Sequence, residues 1–258
     1  MNQATVRAGL SKVPRASAYF WLIKVLSTTL GETLADWLNS TFNLGLTGTT
    51  VVCAFVLAAL LVGQFRARRY QPFRYWPTVL MVSVAGTLVT DTLTDQFGVS
   101  LYASTALFAA LLAVVFVLWW HKERTLDIAS INTRSRETWY WSAILVTFAL
   151  GTAAGDLVTE EWGLGYAGGL SLFAALLVAC FIVYKLGFAQ TAVFWAAYVL
   201  SRPLGACLGD LLTAPRRVSA DVDFTGWGWS GAGVNVLFLA VVLSVVAYLH
   251  RNPVDRVD

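Results

Sequence analysis

Residues 20–36 read FWLIKVLSTTLGETLAD, and this stretch carries the pattern that decides the fold. Its tryptophan is followed after ten residues by a glycine and after fifteen residues by an aspartate. The same W-x9-G-x4-D register recurs three more times, which is far too regular for chance and indicates a tandem repeat. The four copies contain Trp21, Trp76, Trp141 and Trp195, then Gly31, Gly86, Gly151 and Gly205, then Asp36, Asp91, Asp156 and Asp210.

The composition places these repeats in a membrane. Of the 258 residues, 57% are hydrophobic and only 13% are charged, about half the charged share of a typical soluble domain. Each repeat contains two apolar runs long enough to cross a hydrocarbon core of about 30 Å. Transmembrane helices are therefore predicted near residues 18–40, 47–66, 72–95, 101–120, 137–160, 166–186, 190–213 and 229–249.

The predicted fold class is an all-α integral membrane protein with eight transmembrane helices. The helices form four parallel tandem helical hairpins, pseudo-symmetric about the membrane normal, because an even number of spans gives every copy the same orientation. The first helix of each hairpin, here called the motif helix, carries the W-x9-G-x4-D register, and the second is called the return helix. The predicted domains are an N-terminal segment at 1–17, one transmembrane domain at 18–250 with repeats at 18–66, 72–121, 137–186 and 190–250, and a tail at 251–258.

The basic residues predict the orientation of the chain. If the N-terminus is cytoplasmic, fourteen of the 18 basic residues lie in cytoplasmic segments, which matches the positive-inside rule. Both termini are then cytoplasmic, and the aspartates lie toward the outside. Residues 1–17 do not resemble a removable signal peptide, so we expect the first span to remain in the protein. The loop at 214–227 is the strongest candidate for an ordered external loop.

The repeat pattern resembles a family of bacterial membrane proteins with four tandem copies of a repeat of unknown function. Each copy in that family has two transmembrane segments and a tryptophan, and the resemblance covers about residues 18–250. It implies a multi-pass protein of the bacterial inner membrane. The resemblance implies no activity, so function must be inferred from the residues.

The four aspartates are predicted to lie at one depth inside the membrane. Fifteen residues of helix rise about 22 Å, which puts the tryptophan near the inner interface and the aspartate in the outer part of the hydrocarbon core. The helical stripe around the aspartates is rich in oxygen ligands. Its candidate site residues are Glu32, Thr87 and Thr152 one turn before the aspartates, and Asn39, Thr94, Thr159 and Thr213 three residues after them.

These oxygen groups suit a hard cation such as Mg²⁺, Mn²⁺ or Ca²⁺ better than a soft metal, with Asp36, Asp91, Asp156 and Asp210 as the hypothetical metal ligands. Protons are the main competitor, since clustered carboxylates repel one another. Units one to three are favoured for direct ligation. The fourth unit lacks the extra acid and has Arg202 followed by Pro203, so it is expected to carry the counter-charge or a hinge.

Three functions remain open at this stage. The first is a transporter or channel-like conduit for a cation, with the bilayer and a small cation as partners and no enzymatic activity. The second is a structural or sensory scaffold, in which the aspartates cap helices or pair with Lys24 or Arg202. Lys24 lies eight residues before Glu32, near enough to the same helix face for an internal ion pair. The third is a metal-dependent enzyme acting on a lipid phosphate. No resident cofactor and no nucleic-acid partner are predicted, and the sequence leaves homo-oligomerisation open.

Overall fold

A computed structural model describes residues 11–42, 44–216, 225–252 and 254–255. These residues form eight long helices and no strand. Arg7, Arg256 and most of the predicted external loop lie outside the described residues. The helices are α1 (Ala18–Phe42), α2 (Gly45–Phe65), α3 (Pro72–Asp91), α4 (Leu101–Glu123), α5 (Arg134–Asp156), α6 (Gly165–Lys185), α7 (Gln190–Thr213) and α8 (Gly231–Arg251).

Seven of these helices are long and apolar enough to cross a membrane. The exception among the described residues is α1, which carries Lys24, Glu32 and Asp36 along one helix. The chain is therefore a multi-pass helical membrane protein. The eight predicted spans coincide with the eight helices to within a few residues, and α1 has the least apolar 18-residue stretch of the eight.

The four motif helices, α1, α3, α5 and α7, pack against one another in cyclic order. Helix α1 contacts α3, α3 contacts α5, α5 contacts α7, and α7 returns to α1. The aromatic residue before each tryptophan packs on the tryptophan of the next motif helix, with ring centroids 5.6–6.2 Å apart. The four pairs are Phe20 with Trp76, Tyr75 with Trp141, Tyr140 with Trp195, and Phe194 with Trp21.

The motif glycines lie where neighbouring motif helices approach most closely. A Cβ atom at Gly31 would clash with the side chain of Ser83 on the next helix. The equivalent clashes involve the residue at the same register position on the next helix, three residues before that helix's own glycine. Small residues at such crossings allow close backbone packing in membranes. The remaining pairs are Gly86 with Phe148, Gly151 with Arg202, and Gly205 with Thr28.

The return helices pack mainly on the motif helix of the following unit. Helix α2 packs on α3, α4 on α5, α6 on α7, and α8 on α1, whereas α2 contacts its own motif helix α1 less. The Thr50 hydroxyl reaches the Leu88 carbonyl oxygen at 3.3 Å, and Thr33 donates to Asn235 at 2.6 Å across the α1–α8 contact. The two helices of a hairpin are therefore neighbours in sequence more than in packing. Each motif helix already has another motif helix on both of its flanks.

A glycine with positive φ precedes or begins each return helix. Gly45, Gly98, Gly163 and Gly228 have φ between 65° and 67°. Only glycine adopts this conformation without strain, so it turns the chain back toward the opposite face of the membrane. These four glycines are the ones that occupy equivalent repeat positions, ten residues before a phenylalanine.

The end of the bundle that carries the motif tryptophans, here the tryptophan end, is closed by the chain segments that meet there. Lys12 forms a buried ion pair with Glu137 at 2.5 Å. Tyr70, in the loop before α3, donates a hydrogen bond to Asp255 Oδ2 at 2.6 Å. Burial, followed by the negative charge of Asp255, raises the pKa of Tyr70, so the phenol keeps its proton. The described parts of both termini thus lie at one end of the bundle.

The tryptophans divide between the protein core and its surface. Trp119 is completely buried against Trp195, while its neighbour Trp120 is exposed. The motif residues Trp76 and Trp195 are also buried in the protein core. In this bundle their ring area is covered by protein, which is stabilising and leaves the interface contacts to other aromatics.

Candidate ion-binding site

The motif helices run without a break through their glycines to the aspartates. In α3 the helix widens into a π-helical turn immediately after Asp91, at Thr92–Gln96. Helix α5 does the same after Asp156, at Leu157–Glu161. Single π-turns are frequently found at functional positions in helices. None of the four motif helices is broken at its glycine.

A layer of polar residues crosses the axis of the bundle one turn before the aspartates. Glu32, Thr87 and Thr152 occupy equivalent positions on α1, α3 and α5, and all three are buried. Arg202 of α7 reaches into this layer and is fully buried. Its Nη2 atom lies 2.6 Å from Glu32 Oε2 and 2.9 Å from Thr152 Oγ1, and it also bonds Thr87 Oγ1. One guanidinium therefore joins all four motif helices.

The four motif aspartates lie on the opposite side of this layer from the tryptophans, at what is here called the aspartate end. The side chain of Asp36 is exposed, and Asp91, Asp156 and Asp210 are half-buried. Each of the four interacts electrostatically with Glu32. The acids thus surround a common region that opens at the aspartate end and has the Arg202–Glu32 pair as its floor.

Three of these acids are close enough to share one ion. Carboxylate oxygens of Glu32, Asp36 and Asp210 all lie within 4.8 Å of one another. Asp91 and Asp156 are not part of this group. The group draws on units one and four, whereas the sequence favoured units one to three for ligation. A divalent ion bound by three carboxylate oxygens has further coordination positions that water can fill, as hard divalent ions require. Because Asp36 is exposed, an ion can reach the group from the aspartate end.

The threonines beyond the aspartates bond to their own helices. Thr94 Oγ1 lies 3.1 Å from the Thr90 carbonyl oxygen and 2.9 Å from Asp95 Oδ1. Thr159 and Thr213 donate to the carbonyls four residues earlier, at 3.1 and 3.0 Å. Asn39 is half-buried. The described hydrogen bonds of these threonines therefore stay within their own helices and do not join them to the carboxylates of Glu32, Asp36 and Asp210.

Lys24 is not paired with Glu32, although the sequence spacing suggested such a pair. Arg202 takes that carboxylate instead. The Lys24 ammonium lies over the rings of Phe148 and Tyr198, 4.1 and 4.2 Å from their centroids. The sequence favoured the fourth unit as the source of counter-charge, and Arg202 does supply it. The contacts of Arg202 to both threonines could not be found from spacing on single helices.

The fold and this site define a class: a multi-pass helical membrane protein with a charged axis inside a cyclic array of four repeated helices. The comparisons with known proteins then give the family. The family model described as Repeat of Unknown Function (DUF347) matches residues 19–70, 74–125, 139–186 and 193–253, so the chain belongs to that family. No curated protein matches the chain. No solved structure matches it.

Proposed function

We propose that this protein is a transporter or channel-like conduit for a small cation. The cation binds first at the acidic region of the aspartate end. The observation that carries the proposal is the group of Glu32, Asp36 and Asp210 oxygens within 4.8 Å of one another, with one carboxylate exposed and one buried. A buried acid is costly in a membrane unless it has a partner or meets water. Arg202 already partners Glu32, whereas Asp36 and Asp210 form no ion pair among the described residues, so a cation entering past Asp36 supplies the partner of these two aspartates.

The chemistry of the group favours a hard cation or protons. The group consists of carboxylates alone, without His or Cys, and Mg²⁺, Mn²⁺ and Ca²⁺ prefer oxygen ligands. Carboxylates this close together repel one another when all are ionised, so proton release accompanies cation entry. Such exchange couples cation movement to protons.

The orientation of the path completes the proposal. We place the aspartate end outside and both termini in the cytoplasm of a bacterium, in its inner membrane, because the basic loops gather at the tryptophan end. The motif helices are then related by a pseudo-fourfold axis along the membrane normal. In the described conformation two layers close this axis below the acids: the Arg202 layer and the aromatic pairs at the tryptophan end. A cation leaving toward the cytoplasm requires both layers to rearrange.

A structural scaffold is the second candidate, and one observation favours it. Arg202 bonds to three other motif helices through Glu32, Thr87 and Thr152. This arrangement is expected of a side chain whose role is to hold the four helices together. A scaffold needs the Arg202 contacts and does not need Asp36 or Asp210. The two functions therefore differ in what removal of those aspartates does.

The test compares purified wild type with Asp36→Asn, Asp210→Asn and the double variant. We expect Mg²⁺, Mn²⁺ or Ca²⁺ to raise the melting temperature of the wild type and to cross reconstituted vesicles. The two substitutions should be non-additive by about 0.5–3 kcal/mol in ion-dependent stability, since they act on one site. Glu161→Gln is the matched control, because Glu161 is exposed at the same end outside the group.

Two results would contradict the proposal. One is a wild type that neither binds nor passes any of the three ions and shows no proton flux. The other is a double aspartate variant that binds and transports as well as the control. Either result, with stability unchanged, would favour the scaffold.

A further inference from the structure

The core between the Arg202 layer and the aromatic pairs contains a buried basic side chain. It has no hydrogen-bond or ion-pair partner among the described residues. The Lys24 side chain is fully buried, and its Nζ atom makes no hydrogen bond there. Its nearest neighbours are the faces of Phe148 and Tyr198. Ring faces attract a cation, but they do not accept the hydrogen bonds of three ammonium protons in the way that an anion or water does.

Arg202 adds further unpaired donors to the same region. Its Nη2 atom donates to Glu32, Thr87 and Thr152 in the polar layer, while its Nε and Nη1 atoms have no hydrogen-bond partner in the described chain. The Arg202 Cζ atom lies 5.9 Å from the centroid of Phe148, the ring that also carries the Lys24 ammonium. The hydroxyls of Tyr198 and Ser27 are likewise buried and unpartnered. Two cations and two hydroxyls thus gather with too few acceptors.

On this side of the acids, basic groups outnumber the carboxylates that form ion pairs with them. Lys24 and Arg202 are two basic groups, and Glu32 is the only carboxylate that forms an ion pair with either among the described residues. An uncompensated charge in a low-dielectric interior is strongly unfavourable. Water can satisfy the free N–H groups, but it does not supply the missing negative charge.

We propose that Lys24 and Arg202 bind a small monovalent anion of halide size in the bundle core. Lys24 Nζ and the free N–H groups of Arg202 are its ligands, and the unpartnered hydroxyl of Tyr198, whose ring lies against Lys24, is a further neutral donor. The anion completes the charge balance left open by the Arg202–Glu32 pair. This site is separate from the acidic region, because the polar layer with Glu32 lies between them.

The experiment measures melting temperature in choline chloride and in choline gluconate at equal ionic strength, so that no metal cation is present. Chloride should raise the melting temperature of the wild type by about 3 °C at saturation. Lys24→Met should abolish this rise. Lys185→Met is the matched control and should keep it, because Lys185 also lies near an aromatic ring, Phe181 at 5.3 Å, but is exposed.

A second measurement needs no variant and decides the question if Lys24→Met fails to fold. Crystals of the wild type grown or soaked in bromide should show an anomalous peak between Lys24 and Arg202. No difference between chloride and gluconate for the wild type, an equal chloride effect in Lys24→Met, or bromide peaks only on the protein surface would each overturn the proposal. Because choline is the only cation in the stability assay, the anion site stands or fails independently of cation transport.

Discussion

The Arg202–Glu32 pair provides the sharpest test of how the charged axis is held together. We consider Arg202→Met, which keeps most of the side-chain volume and removes the guanidinium. Arg202 is completely buried, and the Glu32 side chain is only 8% exposed, so the carboxylate would lose its cation without gaining water. Of its described donors, Thr87 alone would remain, at 3.1 Å. Breaking a buried ion pair from one side costs about 3–5 kcal/mol.

The assay is unfolding of the purified protein in mixed micelles, titrated with a denaturing detergent. Arg202→Met should lose about 3–5 kcal/mol, whereas Arg202→Met with Glu32→Leu should recover to within about 1 kcal/mol of wild type or exceed it, because Glu32 is then no longer a buried carboxylate without its cation. Arg136→Met is the control. Its partner is Glu123 at 3.0 Å, but the pair is partly exposed, so the loss should be about 1 kcal/mol or less.

Two outcomes would refute this reasoning. If Arg202→Met costs no more than Arg136→Met, the guanidinium does not compensate a buried charge. If the double variant is as unstable as Arg202→Met, the loss comes from packing and not from the stranded carboxylate of Glu32.

Two further predictions concern packing and topology. Gly86→Ala should destabilise the protein by about 1–3 kcal/mol, because a Cβ would collide with Phe148. The control Gly63→Ala lies within a helix and faces open space, so it should be neutral or stabilising. Equal losses of stability in the same unfolding assay would contradict the crossing geometry. A cysteine introduced at Arg134 should resist an impermeant thiol reagent in intact cells while one at Gln96 reacts, and the opposite labelling would place the aspartate end in the cytoplasm.

The helices and their common register could be predicted because they depend on local information. A run of about twenty apolar residues must satisfy its backbone hydrogen bonds internally in lipid, so length and hydropathy suffice to find α2, α4, α6 and α8. The repeat register then places Asp36 and its three counterparts at one depth. Contacts along one helix follow from helical periodicity in the same way.

Contacts between helices could not be predicted in this way. Lys24 and Arg202 are both basic residues on motif helices, and their spacing to Glu32 in sequence favoured the lysine. The choice was made by packing across the ring, where Arg202 lies opposite Gly151 and has room to reach the axis. The burial of Trp119 likewise depends on a contact between units, since its neighbour Trp195 comes from another unit.

The contact between α8 and α1 means that the first and last units are neighbours in space as well as at the two ends of the chain. The backbone carbonyl of Asp255 accepts a hydrogen bond from the Arg15 amide at 2.8 Å, so the described ends of the chain already meet. All four unit-to-unit contacts among the described residues are of the same head-to-tail kind, and they close into a ring. We therefore expect the order of the units to tolerate cyclic permutation: a gene that begins at the second unit and ends with the first should encode the same bundle.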